Sequence, residues 1–190
     1  MRVIAGSARS MPLKTVKGMD VRPTTDRTKE TLFNILQFRI PSCRFLDLYA
    51  GTGAIGIEAL SRGADQAVFV EKDRRIQNLI LENLAFTKLD DRAELIKGDV
   101  LSVLPLLEGR EPFDIIFMDP PFQHGYEKEA LTLLSRSSLL KEGGVIVVEA
   151  HPKTDFSYLD ELGFRVVRHK IYSLSSHLFL ERKDISEETT

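Results

Sequence analysis

A chain of 190 residues, 43% of them hydrophobic, with 26 Lys/Arg against 28 Asp/Glu and a formal net charge of −2, can bury one substantial core and is too short for two ordinary domains. Its longer apolar stretches, such as Ile115 to Met118 and Val145 to Val148, fall far below the ~20 residues of a membrane span, and its N-terminus lacks the long apolar region of a secretory leader. One cysteine, Cys43, excludes an intrachain disulfide, and four scattered histidines (His124, His151, His169, His177) lack zinc-site spacing, so a soluble, cytoplasmic, metal-free monomer is expected.

Residues 1–44 hold nine Lys/Arg and three Asp/Glu, a balance of +6 that leaves about −8 for the remainder. Such an asymmetry suits a basic arm that meets phosphates, and equally a well-charged solvated surface. The arm opens with two short runs, Arg2 to Ala5 and Leu13 to Val16, joined by turn residues from Gly6 to Pro12, which predict a protruding hairpin. Thr24, Thr25 and Asp26 then offer an N-cap for a helix with Leu32, Phe33, Ile35 and Leu36 on its apolar face, ended by Pro41.

From residue 45 to 183, apolar runs alternate with amphipathic ones. Strands are expected at Phe45–Tyr49, Ala67–Val70, Ala93–Ile96, Asp114–Met118 and Val145–Glu149. Helices are expected at Ala54–Ser61, Arg74–Phe86, Val100–Leu107, Glu127–Leu134 and Phe156–Glu161. This alternation predicts an α/β fold with a mostly parallel sheet covered on both faces. The last two runs, Arg165–Tyr172 and His177–Arg182, are joined by a turn too short for a parallel crossover, so they form an antiparallel hairpin. Seven strands ending in such a hairpin make the Rossmann-like class I methyltransferase variant of the doubly wound fold. Residues 184–190 read as a polar, acidic tail.

The turn after the first core strand, Asp47-Leu-Tyr-Ala-Gly51-Thr-Gly53-Ala-Ile-Gly56, contains the G-x-G-x-x-G spacing of dinucleotide sites. Glu71 closes the second strand, where a carboxylate accepts from the hydroxyls of an adenosine ribose. NAD and S-adenosylmethionine share that ribose, and Asp47 separates them. Its carboxylate would repel a pyrophosphate at the helix N-terminus and attract the ammonium and sulfonium of S-adenosylmethionine. Asp47 would also serve as a turn cap. Asp99 follows the third strand, placed to accept from the adenine amine with Val100 against the ring, and Gly98-Asp99 before a helix is equally an ordinary N-cap.

The fourth strand ends in Asp119-Pro120-Pro121-Phe122. Two prolines stop the ladder and stiffen the backbone, which suits chemistry on an exocyclic base amine, a poor nucleophile whose N–H groups must be held by acceptors. The Asp119 carboxylate and Pro120 carbonyl are such acceptors, and the carboxylate stabilises the positive charge that develops on nitrogen. Phe122 would stack on a base swung out of its helix. A rigid surface turn with a buried aromatic would carry the same four residues.

On these residues the chain resembles the family of bacterial 16S ribosomal RNA guanine-N2 methyltransferases called RsmD, through Arg2-Val-Ile-Ala-Gly6-Ser, Arg22-Pro-Thr-Thr-Asp-Arg27, Asp47-Leu-Tyr-Ala-Gly-Thr-Gly53 and Asp119-Pro-Pro-Phe122. The resemblance implies methyl transfer from S-adenosylmethionine to N2 of a guanine in small-subunit ribosomal RNA, on a partly assembled particle. It makes Asp47, Gly51, Gly53, Glu71 and Asp99 cofactor contacts, to which the reading of Val100 against the adenine ring adds a sixth, and Asp119, Pro120, Pro121 and Phe122 the catalytic turn. Arg9, Lys14, Arg22 and Arg27 are the candidates for RNA contact, each also readable as a surface charge. The competing readings are a DNA adenine-N6 methyltransferase, an NAD-dependent oxidoreductase and a non-catalytic cofactor-binding factor in ribosome assembly.

Overall fold

Of five strand-forming runs in the middle of the chain, four are near-continuously apolar, which fits a sheet whose centre is buried on both faces. In the computed structural model, which describes residues 1–15, 25–122 and 124–183, these runs are β1 (Arg44–Leu48), β2 (Gln66–Glu71), β3 (Ala93–Lys97), β4 (Phe113–Met118) and β5 (Leu140–Ala150), followed by β6 (Phe164–Ile171) and β7 (Ser176–Arg182). The sheet order is β3-β2-β1-β4-β5-β7-β6. β1 to β5 are parallel, while β7 runs antiparallel to both β5 and β6. The α/β class and the antiparallel final hairpin are as expected.

Helices α1 (Asp26–Leu36), α2 (Ala54–Ser61), α3 (Arg74–Thr87), α4 (Val100–Val103) and α5 (Tyr126–Ser135) cover the sheet. One face packs Phe45, Phe69, Ile115, Phe117, Val147 and Phe179 beneath Leu32 and Phe33 of α1, Ile57 of α2 and Ile80 of α3. The other face packs Leu46, Val68, Ile116 and Ile146 beneath Val103, Leu131 and Leu134. Arg182 of β7 closes the C-terminal end of α5 by donating to the carbonyls of Leu134, Ser135 and Ser137 at 2.7–2.9 Å, groups that have no partner within the helix itself.

Three local expectations are corrected. The expected helix Val100–Leu107 is four residues of α-helix followed by a 3₁₀ turn, Leu104–Leu107, because Pro105 has no N–H to continue the α ladder. The expected helix Phe156–Glu161 is a 3₁₀ turn at Ser157–Leu159. The opening segment forms one antiparallel bridge, Arg2 with Pro12, instead of paired strands, and it does not protrude. Val3, Ala8 and Leu13 are buried in the core under α1 and α2, and the backbone N–H groups of Ile4 and Ala5 donate to the Glu58 carboxylate at 2.8 and 3.0 Å.

Thr25 is the N-cap of α1, accepting from Thr28 N. Val16, Thr24 and the tail at 184–190 lie outside the described residues. Among those described, no helix is long and apolar enough to cross a membrane, and no cluster of His, Cys, Asp and Glu could hold a metal ion.

Candidate active site

The carboxyl ends of β1, β2 and β4 meet at one edge of the sheet, the place where open α/β folds bind ligands. β1 runs into Tyr49, Gly51 and Gly53, all with positive φ (59°, 53° and 77°), a conformation that glycine adopts without the cost an L side chain meets. The third glycine of the motif acts by packing. A Cβ on Gly56 would run into the Phe69 ring and come within 3.1 Å of Asp47 Oδ2.

Asp47 is 1% exposed, and its Oδ2 accepts from Gly56 N at 2.9 Å. The contact present is thus the capping one, made beneath the turn. Burial pushes its carboxyl up to about 8; the Gly56 N–H pulls the other way, and the nearby Glu71 adds to the rise. Glu71, at the end of β2, accepts from Gly51 N at 3.0 Å through Oε2 and from Asp73 N at 2.9 Å through Oε1. Its carboxylate therefore fixes the glycine turn directly. Asp99 caps α4 through Leu101 N at 3.0 Å and faces Lys72 at 3.9 Å, while Val100 behind it is buried.

At the end of β4, Asp119 N donates to Leu48 O at 3.4 Å, which ties the start of the Asp-Pro-Pro-Phe turn to the end of β1. Pro120 is buried, Pro121 exposed and Phe122 half-buried, with the Phe122 ring edge-on to His151 at a 6.3 Å centroid distance. The structure thus gathers the glycine turn, Glu71 and the Asp119–Phe122 turn at one sheet edge.

The basic candidates are not gathered together. Lys14 pairs with Glu82 at 2.8 Å, and its N–H donates to Asn83, which also holds Thr52 O, so it lies beside the glycine turn. Arg27 is exposed in the first turn of α1. Arg9 sits in a turn fastened to Ser61, through Ser7 N and Ala8 N, at the far end of α2, roughly 12 Å from Gly53 at 1.5 Å per residue. Arg22 lies outside the described residues.

Two features escape a motif reading. The Tyr49 hydroxyl is buried without a partner among the described residues, and burial, with Asp99 nearby, pushes it above the usual phenol range. At the end of β5, Glu149 Oε2 lies 3.1 Å from Nε2 of the fully buried His177, whose Nδ1 is 3.3 Å from the Tyr172 hydroxyl. The sequence signal for Glu149 was an acid closing an apolar strand, as Glu71 closes β2.

Asp47 and Glu71 form a pair of buried carboxylates beside the glycine turn with no ion-pair partner among the described residues. Glu71 leaves the site short of positive charge and Asp47 ionises when a cation binds above it, so a cofactor bearing an ammonium and a sulfonium fits, near the Tyr49 hydroxyl that has no partner among the described residues.

The family described as conserved hypothetical protein 95 matches residues 1–181. The chain is 35% identical to ribosomal RNA small subunit methyltransferase D of Haemophilus influenzae, over 90% of this chain and 93% of that one. It is 38% identical to the protein of the same name in Escherichia coli, over 79% and 74%. Among solved structures, "Putative methyltransferase yhhF from Escherichia coli" superposes with a TM-score of 0.83 at 34% identity, covering 96% of this chain and 98% of that chain.

Proposed function

The chain belongs to the conserved hypothetical protein 95 family, together with ribosomal RNA small subunit methyltransferase D, and from that membership we propose that it methylates the N2 amine of a guanine in small-subunit ribosomal RNA with S-adenosylmethionine as donor. The observation that carries this reading is the backbone bond from Asp119 N to Leu48 O, because it sets the amine-holding turn beside the glycine turn of the cofactor site.

Asp47, the Gly51–Gly53 turn, Glu71, Asp99 and Val100 are the residues that would hold the cofactor, which supplies an electrophilic methyl on a sulfonium. Asp47 acts from beneath, its buried carboxyl ionising as the cationic cofactor binds over the turn. Glu71 keeps lone pairs on both oxygens for ribose hydroxyls, since each is used once. The Asp119 carboxylate and Pro120 carbonyl accept the N–H groups of the target amine and orient its lone pair. As the carbon–nitrogen bond forms, Asp119 stabilises the charge on nitrogen and receives the released proton. Phe122 stacks on the base, worth roughly 1–3 kcal/mol in comparable single-strand sites. Arg9, Lys14, Arg22 and Arg27 meet RNA phosphates, Lys14 beside the glycine turn, with residues 1–44 serving as the RNA-contacting arm on the partly assembled particle.

The test is transfer of labelled methyl from S-adenosylmethionine to small-subunit particles from cells lacking this gene, with nuclease digestion to identify the nucleoside. N2-methylguanosine is expected. Label on an adenine, or cofactor binding without transfer to any nucleic acid, overturns the reading.

A further inference from the structure

Glu149 stands beside the catalytic turn and has no part in the chemistry assigned to it above. The register that sets Phe117 against Val147 and Met118 against Val148 brings Asp119 level with Glu149, one parallel strand away, a spacing of about 4.8 Å. The alternation of the strands puts both on the face that buries Phe117 and Val147.

A buried carboxylate needs hydrogen bonds to offset its lost hydration, and Glu149, 6% exposed, has one oxygen provided for. A neutral imidazole offers one donor and one acceptor. Tyr172 O–H donating to His177 Nδ1 leaves Nε2–H for Glu149 Oε2, so every polar atom of His177 is used in one fixed direction. The imidazole is further held edge-on between the Phe117 and Tyr172 rings, at centroid distances of 6.1 and 5.1 Å. The chain ends on Glu149 Oε1, which accepts no hydrogen bond among the described residues and is not among their sealed, partnerless atoms. An oriented carboxylate with one oxygen available at a site for a base awaits a donor on that base.

Guanine carries such a donor, N1–H, on the same edge as its N2 amine, whereas adenine places an acceptor, N1, beside its N6 amine. We propose that Glu149 selects the base: Oε1 accepts guanine N1–H while Asp119 and Pro120 hold the N2 amine, and His177 and Tyr172 are positioning residues that aim Glu149. This rests on the guanine-N2 reading above. It gives that reading a reason why adenine is refused, since its N1 lone pair would meet a carboxylate.

The experiment uses small-subunit particles assembled with RNA bearing either guanine or 2-aminopurine at the methylated position. 2-Aminopurine keeps the 2-amine and replaces N1–H with an acceptor. The wild-type protein is expected to favour guanine by roughly 10- to 100-fold in kcat/KM, the range for a hydrogen bond to a charged group. Glu149→Gln, whose amide can donate to N1 of 2-aminopurine, lowers transfer to guanine and narrows or inverts that preference. His177→Ala relaxes it to a lesser degree.

Equal use of both bases by the wild-type protein overturns the proposal, and needs no variant to show it. A Glu149→Gln variant that slows both bases by the same factor also overturns it. Transfer to guanine N2 without the preference sinks the role of Glu149 alone, whereas absence of N2 transfer removes the underlying reading and the inference with it.

Discussion

Lys29 Nζ lies 3.2 Å from Glu58 Oε2 with neither side chain exposed to solvent. The same ammonium donates to the Arg2 carbonyl at 2.5 Å, while Glu58 also accepts from Arg62 and from Ile4 and Ala5 N–H. One buried pair therefore joins α1, α2 and the opening segment. Glu58→Gln leaves Lys29 buried with no carboxylate and is expected to cost about 3–5 kcal/mol in urea unfolding. Lys29→Met is expected to cost less, because Glu58 keeps three other donors. The reverse order would contradict this account.

Gly6 has φ of +86° and lies so close to Ser61 that a Cβ would overlap its carbonyl. Gly6→Ala should free the opening segment from α2 while the sheet still unfolds cooperatively. Faster tryptic cleavage after Arg9, with an unfolding midpoint lowered by only a few degrees, is the expected result. Transfer to particles should fall more than cofactor affinity does.

Burial raises the Asp47 carboxyl to about 8, far above the ~3.9 of an unfolded aspartate. The folded state then binds the extra proton between those values, so this group's contribution to stability is full below about 4 and is lost as pH rises toward 8. Asp47→Asn keeps an acceptor for Gly56 N–H and should remove that slope. Thermal unfolding from pH 5 to 8 is expected to show the variant gaining on the wild-type protein as pH rises, with the loss of cofactor affinity growing toward pH 8. Parallel curves would refute the assignment.

Asp119→Ala removes an acceptor at the developing charge. Single-turnover transfer is expected to drop by about 10²–10⁴-fold, with cofactor affinity by equilibrium dialysis within about threefold of wild type. A matched loss of both would make Asp119 a structural residue.

Tyr49→Phe deletes a buried hydroxyl that lacks a partner among the described residues. Without ligand, the variant should be as stable as the wild-type protein or up to about 1 kcal/mol more so. If the hydroxyl serves the cofactor, affinity should fall. Unchanged affinity would mark it as merely unsatisfied.

The order of strands and helices was legible because most parallel strands buried on both faces are largely apolar runs, and the acids near their ends stand out against them, Asp47 four residues before Gly51, Glu71 at the close of β2 and Asp119 directly before Pro120. Local hydrogen-bond accounting was less legible. Pro105 interrupts a helix whose apolar spacing is otherwise continuous, and the bulge in β5, where pairing jumps from Phe113–Leu140 to Ile115–Val145, hides the first five residues of that strand behind Lys141-Glu142-Gly143. The opening segment looks like a hairpin because its apolar residues alternate. Besides local bonds such as Val3 N to Met11 O and Leu13 N to Met1 O, its backbone is held by a carboxylate and a hydroxyl more than 50 residues away, which no local pattern encodes. Glu149 and His177 are likewise 28 residues apart, and they meet only because β7 enters the sheet next to β5.

That entry has a consequence for biosynthesis. β6 emerges from the ribosome before β7, yet it has no place in the sheet until β7 inserts between it and β5. The nascent chain therefore carries an open hydrophobic edge at β5, and the C-terminal end of α5 lacks the guanidinium that donates to the Leu134, Ser135 and Ser137 carbonyls, until Arg182 arrives. The same late strand delivers His177. Completion of the sheet and the contact of His177 with Glu149 are thus one event, so under the proposal above a partly synthesised chain, even with the segments of Asp47, Glu71 and Asp119 in place, is not yet able to choose its base.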